Sequence, residues 1–182
     1  MPIYNTEIID ILNNAGIVAV PTDTVYGLAV DPRNKMALQK LYKLKQRDAG
    51  KPLVWMVAEQ SQLAEVVREI TPEVQKIIDK YWPGALTIIF KQKYSEDTIG
   101  IRIPKQQQLL ALLQEWGKPL AVTSANLSGE KEMCSKQEVE KKFGGSVDFY
   151  IDTAEPLSGL ASTIIDVSKG EIKVLRQGEI KI

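Results

Sequence analysis

Apolar positions recur along the chain with two different spacings, and the changes from one spacing to the other mark its elements. Ile8, Ile9, Ile11, Leu12 and Ala15 follow a helical stripe, with Asn5 placed to cap its start and Gly16 to stop it. Ile17-Val18-Ala19-Val20 is an unbroken apolar run closed by Pro21, which reads as a short buried strand, and a loop over 22–27 follows. A second stripe (Leu38, Leu41, Tyr42, Lys45) predicts a helix over 34–45, and 53–57 reads as the next strand. Thr71-Pro72-Glu73 supplies a hydroxyl cap, a proline at the first helical position and an early carboxylate. The helix that starts there offers Val74, Ile77, Ile78 and Tyr81 to a core and stops at Trp82-Pro83-Gly84. Strands over 86–90 and 99–103, a helix over 106–116 and a strand over 120–123 come next. Ser135 and Glu138 have the spacing of a capping box, and 147–151, 163–167 and 172–176 read as strands parted by Gly-containing turns. Strands alternate with helices early and follow one another late. That order predicts an α/β chain: a twisted mixed sheet of parallel and antiparallel strands with helices on its faces, in a single domain over 1–182.

Composition narrows the chemistry. At 182 residues and 44% apolar content the chain can bury one good core. Its 23 basic and 23 acidic residues balance, so it lacks the bulk charge of a protein that binds nucleic acid through phosphate neutralisation. Cys134 is the only cysteine and there is no histidine. Intrachain disulfides, Cys-rich or His-ligated metal sites, and Ser-His or Cys-His nucleophilic pairs are therefore excluded. The start MPIYNTEIID has neither a basic nor an apolar signal region, and no apolar run approaches a membrane span. A soluble cytoplasmic protein is the expected class.

The sequence has no GxxxxGK[ST] and no GxGxxG after a strand, so any nucleotide must be held by scattered side chains and backbone N–H groups. Five segments place polar or small residues at the ends of apolar strands, where loops usually carry function. Pro21-Thr22-Asp23-Thr24 crowds three hydrogen-bonding side chains into one turn, either for binding or to stabilise the turn itself. Lys45-Gln46-Arg47, followed by Lys51, can converge on an anion or simply complement a helix C-terminus. In Thr98-Ile99-Gly100-Ile101-Arg102, alternation sets Thr98, Gly100 and Arg102 opposite the isoleucines, an open floor with one guanidinium suited to a carboxylate or phosphate. Thr123-Ser124-Ala125-Asn126 offers small hydroxyl and amide groups and an approachable backbone. Arg176 shares parity with Ile172 and Val174 and should face the buried side, where Asp166 offers an ion-pair partner.

Taken in order, PTDTVYGL, KxR followed by KPL, WPGALT, IRIP, TSANLSG, STIID and LRQG resemble the YrdC/TsaC family of threonylcarbamoyl-AMP synthases along nearly the whole chain, in its short single-domain form. The same domain is similar to one inside the HypF carbamoyltransferases. The resemblance implies a YrdC-like fold and a nucleotidyltransferase that joins L-threonine, bicarbonate and ATP into threonylcarbamoyl-AMP and pyrophosphate. By position it places Thr24, Arg102, Val122 and Ser162 around threonine. It places Arg47, Lys51, Thr98, Ser124, Asn126 and Arg176 on ATP, and gives Lys45 and Arg47 the phosphate-side catalytic role. It further implies Mg²⁺ bound to the ATP phosphates, no tightly held cofactor, no protein metal site and transfer of the product to a tRNA-modifying complex. Two positions depart from the family: Met56 stands where many longer relatives have histidine, and Glu130-Lys131-Glu132-Met133 replaces a Lys/Arg-Pro-Ser stretch. Two other readings stay open, a double-stranded RNA-binding module (or weak RNA binding beside catalysis) and a HypF-like carbamoyl-transfer domain.

Overall fold

The computed structural model describes residues 4–48 and 50–182. In chain order its elements are α1 (Tyr4–Asn13), β1 (Val18–Val20), β2 (Gly27–Val30), α2 (Lys35–Leu44), β3 (Val54–Met56), α3 (Leu63–Val66), α4 (Pro72–Tyr81), β4 (Leu86–Lys91), β5 (Thr98–Arg102), α5 (Gln107–Trp116), β6 (Leu120–Ser124), α6 (Lys136–Phe143), β7 (Phe149–Tyr150), β8 (Thr163–Asp166) and β9 (Lys173–Arg176). The strands form one nine-stranded sheet in the order β7-β1-β2-β6-β3-β5-β4-β8-β9. The β1/β7, β3/β5 and β4/β8 pairs are parallel and the remaining neighbours antiparallel, the mixture the element order predicts.

Local chemistry sets the helix ends. The Asn34 carboxamide oxygen accepts from the N–H groups of Met36 and Ala37, Thr71 Oγ1 accepts from Val74 N, and Ser135 and Glu138 close a reciprocal capping box. Each such cap is worth about 1 kcal/mol. Gly117, at φ 67°, ends α5 in the left-handed region that a side chain would resist. Asn5 lies within α1, and the cap expected of its side chain falls outside the described side chains. Two elements have no counterpart in the sequence reading. The β2 strand, antiparallel to β1, begins at Gly27 inside the expected loop, and its four residues are buried on both faces, so no alternation marks it. The other, α3, spans only four residues, too short to show a stripe.

Residues paired across strands share a sheet face, and the two faces are packed differently. On one face Ala19, Leu28, Val30 and Ala121 lie under Leu41 of α2 and Val139 and Phe143 of α6. The same face continues through Ile88, Phe90, Ile99, Ile101 and Ile165 beneath Val74 and Ile78 of α4, and Trp55 touches both clusters. On the opposite face Val18, Val20, Ala29, Met56, Leu120 and Val122 pack against Ile8 and Leu12 of α1 and Leu109, Leu112 and Leu113 of α5. Truncating such a fully buried leucine to alanine costs about 2–5 kcal/mol. This second cluster takes in no residue of β4, β5, β8 or β9. There the sheet face turns to a cleft instead of a helix, and most of the residues singled out from sequence gather on it.

Alternation fails at β9. All four of its residues are exposed, and the β8–β9 register shifts, so that Ile165 faces Val174 while Ile164 faces Arg176. One extra residue on β9 breaks the parity between Val174 and Arg176. Arg176 therefore shares the cleft face with Ile164 rather than the core face, and its expected ion pair with Asp166 does not form. Asp166 instead accepts from Ser168 N at 2.8 Å. Among the described residues no helix is long and apolar enough to cross a membrane.

Candidate active site

A cleft of about 200 Å³ opens where the turn after β1 meets the ends of β2, β3, β5 and β6 and the start of β8. Its walls include Thr22, Thr24, Gly27, Arg47, Val54, Met56, Thr87, Arg102, Val122, Ser124, Glu132, Ser162, Ile164 and Arg176. Residues 22 and 176 thus meet in one concavity.

One end is built around a buried guanidinium. Arg102 is only 3% exposed. It donates from Nε to Gly84 O at 2.9 Å, from Nη1 to Thr24 Oγ1 at 3.1 Å and from Nη2 to Asp23 Oδ1 at 2.6 Å. Three of its five N–H groups are used, which leaves two for a ligand. The turn that carries Thr24 is stabilised from within. Thr22 Oγ1 accepts from Thr24 N at 3.0 Å and Val25 N at 3.1 Å, donates to Val25 O at 2.7 Å and lies 2.8 Å from Thr24 Oγ1. So the turn both stabilises itself and lines the cleft; the two readings of PTDT are not mutually exclusive. Val122 and Met56 supply an apolar wall beside this polar end.

At the far side Thr87 Oγ1 and Ser162 Oγ lie 2.9 Å apart, and Arg176 clamps the same serine. Its Nε and Nη2 donate to Ser162 O at 3.0 and 2.9 Å, and Nη2 reaches Ser162 Oγ at 3.2 Å. Burial lowers the Arg176 pKa and the nearby Arg102 charge pushes the same way, while Glu132 opposes both.

Arg47 enters from the end of α2. Its Nη2 donates to Pro52 O at 3.0 Å, and its buried Nε has no partner. Lys45, two residues earlier, does not reach the cleft. It is 1% exposed, and its Nζ donates to Asn126 O at 2.7 Å, to Asn126 Oδ1 at 3.1 Å and to Ser124 O. Ser124 Oγ donates to Asn126 Oδ1 at 2.7 Å, and Asn126 Nδ2 to Glu130 O at 2.6 Å. Lys45 and Asn126 therefore form the back of the 124–130 loop, whereas Ser124 faces the cavity. Burial pushes the Lys45 ammonium down to about 8, helped by Arg47 and opposed by Glu132.

Of the positions singled out from sequence, Thr24, Arg47, Arg102, Val122, Ser124, Ser162 and Arg176 line the cleft. Lys45 and Asn126 stand directly behind it. Lys51 is exposed, and Thr98 is exposed at the opposite end of β5 from Arg102; neither joins the lining. Sequence reasoning gave Asp23 no role beyond its place in the PTDT turn and assigned none to Thr87 or Glu132. Asp23 and Thr87 sit inside the quoted PTDT and WPGALT motifs, which could have pointed to them; Glu132 carries no such signal.

The sequence model of the Sua5/YciO/YrdC family, described as "telomere recombination", matches residues 10–178. The chain belongs to this family. Threonylcarbamoyl-AMP synthase of Idiomarina loihiensis is 39% identical over 75% of this chain and 79% of its own length. The crystal structure of Pyrococcus abyssi Sua5 complexed with L-threonine superposes with a TM-score of 0.89 at 30% identity, covering 96% of this chain and 54% of that one. This family member thus spans about half the length of its P. abyssi relative. Full-length HypF shares the fold alone, at 19% identity and a TM-score of 0.81 over 96% of this chain and 29% of that one.

Proposed function

We propose that this chain condenses L-threonine, bicarbonate and ATP into threonylcarbamoyl-AMP and pyrophosphate in the cytoplasm, for transfer to a tRNA-modifying complex. The observation that carries this reading is the pairing, within one cleft, of a buried guanidinium with two free N–H groups and a second, cationic end formed by Arg47 and Arg176. The first suits an α-carboxylate, which a planar guanidinium binds bidentately. The second suits a polyphosphate.

In this reading Arg102 anchors the threonine carboxylate, Thr24 and Ser162 take up its polar groups, and Val122 and Met56 face its methyl. Arg47, Arg176 and Ser124 hold the nucleotide, with Lys45 and Asn126 fixing the loop that carries Ser124. The threonine amine joins bicarbonate with loss of one water to give a carbamate, whose oxygen attacks the α-phosphorus as the bond to the β-phosphate breaks, so pyrophosphate leaves and no enzyme nucleophile is consumed. Held side by side, the reactants gain from proximity, and the guanidinium groups offset charge that grows on the leaving group. Among the described residues no three His, Cys, Asp or Glu side chains cluster as metal ligands. In this reading Mg²⁺ enters on the triphosphate substrate, because it commonly binds substrate phosphates with one or two carboxylates rather than a cage made only of protein.

Pyrophosphate release should require L-threonine and bicarbonate together with ATP. Release that proceeds equally well without either one would sink the proposal. Turnover of carbamoyl phosphate in their place would point instead to the HypF-like chemistry.

A further inference from the structure

Glu132 is the cleft residue whose chemistry runs against its neighbours. It lines the same cavity as Arg47, Arg102, Arg176 and Ser124, and it is half-buried. The segment that carries it is held just before it, where Asn126 Nδ2 donates to Glu130 O at 2.6 Å, and just after it. Tyr26 N donates to Met133 O at 2.8 Å, and Cys134 N donates to Glu138 Oε2 at 3.0 Å. Yet among the described residues the Glu132 carboxylate forms no ion pair and accepts no hydrogen bond, whereas the other carboxylate at the site, Asp23, is spent on Arg102. The cations are likewise without carboxylate partners apart from that pair: Arg47 donates to Pro52 O, Arg176 to Ser162, and Lys45 to the 124–126 loop.

An unpaired carboxylate in a cleft shaped for anions weakens every anion that enters, unless the anion brings a cation with it. A free nucleoside triphosphate carries close to four negative charges at neutral pH; its magnesium complex carries about two. Three guanidinium groups line the cleft (Arg47, Arg102 and Arg176) with Lys45 behind them, and Asp23 and Glu132 oppose them, so the net positive charge is at most two, well short of the free anion's four negative charges and nearer to the two of its magnesium complex. Magnesium commonly pairs one or two carboxylates with substrate phosphates while keeping several waters, so a single acidic side chain at this place is enough. Resting on the nucleotide site proposed above, we infer that Glu132 makes the cleft selective for the metal-loaded triphosphate over the metal-free one.

Calorimetry with a non-hydrolysable ATP analogue, in excess Mg²⁺ and separately in EDTA, tests this. Wild type should prefer the Mg²⁺ form, and Glu132→Gln should shrink that preference by about three- to tenfold, chiefly by tightening the metal-free analogue. Glu132→Lys should shrink it further. Glu130→Gln serves as control, because Glu130 is exposed, lies outside the cleft lining and pairs with Lys142 at 2.7 Å; its preference should equal wild type. If wild type binds both forms and Glu132→Gln leaves their ratio unchanged, the inference fails alone. If wild type binds neither form, the nucleotide assignment fails and takes the inference with it.

Discussion

Arg102 Nη2 stands 2.6 Å from Asp23 Oδ1, with both side chains largely withdrawn from water. A buried guanidinium stays charged, so its partner decides whether that charge is compensated. Asp23→Ala should lower folding stability by about 3 kcal/mol, the usual cost of stranding one member of a buried pair. Asp23→Asn should lose less, since its amide oxygen still accepts from Nη2. Urea unfolding of the two variants checks the order; equal losses would mean that the charge of Asp23 carries the whole contribution and its acceptor oxygen alone adds nothing.

The tail after β9 is tied to the start of β8 through Thr163. Gly178 N and Ile180 N donate to Thr163 Oγ1 at 2.9 and 3.1 Å, Thr163 Oγ1 donates to Ile180 O at 2.5 Å, and Glu179 N donates to Ala161 O at 3.1 Å. A Cβ on Gly178 would lie 2.1 Å from Ala161 O and 2.5 Å from the Ser162 carbonyl carbon, backbone that cannot rotate away. Gly178→Ala should therefore unseat the tail, with a loss of about 2 kcal/mol or more. Because Ser162 and its clamp on Arg176 share that backbone, nucleotide affinity should fall along with the Tm. Thr163→Val, which leaves these groups without a buried partner, should cost about 1–3 kcal/mol.

The sheet was legible wherever one physical cue dominated. Thr71-Pro72, Asn34 and Ser135 announce helix starts because each satisfies free backbone N–H groups, and all three cap helices. The β2 strand was not legible, since a strand buried on both faces has no alternation and Gly27 reads as a turn. For the site, the motif segments did converge, but the side of a strand on which a residue falls depends on register. Arg176 moved from the expected core face to the cleft through a one-residue bulge that nothing in Lys173-Val174-Leu175-Arg176 announces. Lys45 illustrates the other gap. A lysine near an expected phosphate site could reach forward to ligand or back to backbone carbonyls, and only the position of the 124–126 loop decides between them.

Gly27 of β2 pairs with Ser124 of β6 beside Val122 of the cleft wall. A Cβ there would lie 2.6 Å from Val122 Cγ1 and 3.3 Å from Thr123 O. Val122 can yield, but only by turning its side chain within the cleft that it lines. Gly27→Ala should thus weaken L-threonine binding by about tenfold while costing about 1–3 kcal/mol of stability, as overpacking does. Adding Val122→Ala removes the clashing methyl and should restore part of the affinity, so the two losses are non-additive. Strict additivity in a calorimetric double-mutant cycle would show that the two side chains do not meet.

Lys45 offers a test in which stability and binding move in opposite directions. Its ammonium is pushed from the ordinary 10.5 down to about 8. Below pH 8 both the folded and the unfolded chain carry the proton, and the cost of burying it is fully present. Between pH 8 and 10.5 the unfolded chain binds more protons than the folded one, so stability rises with pH across that window. Measured against Lys45→Met, which does not titrate there, wild type should gain up to about 3 kcal/mol between pH 8 and 10.5 in urea unfolding. Nucleotide affinity should run the other way: as Lys45 loses its charge and one N–H from the loop behind Ser124, binding of the ATP analogue should weaken as pH rises through about 8. Lys45→Arg keeps its charge throughout and should show neither trend. A wild-type affinity that stays level across pH 8 while that of Lys45→Arg matches it would mean that the buried ammonium plays no part in holding the nucleotide loop.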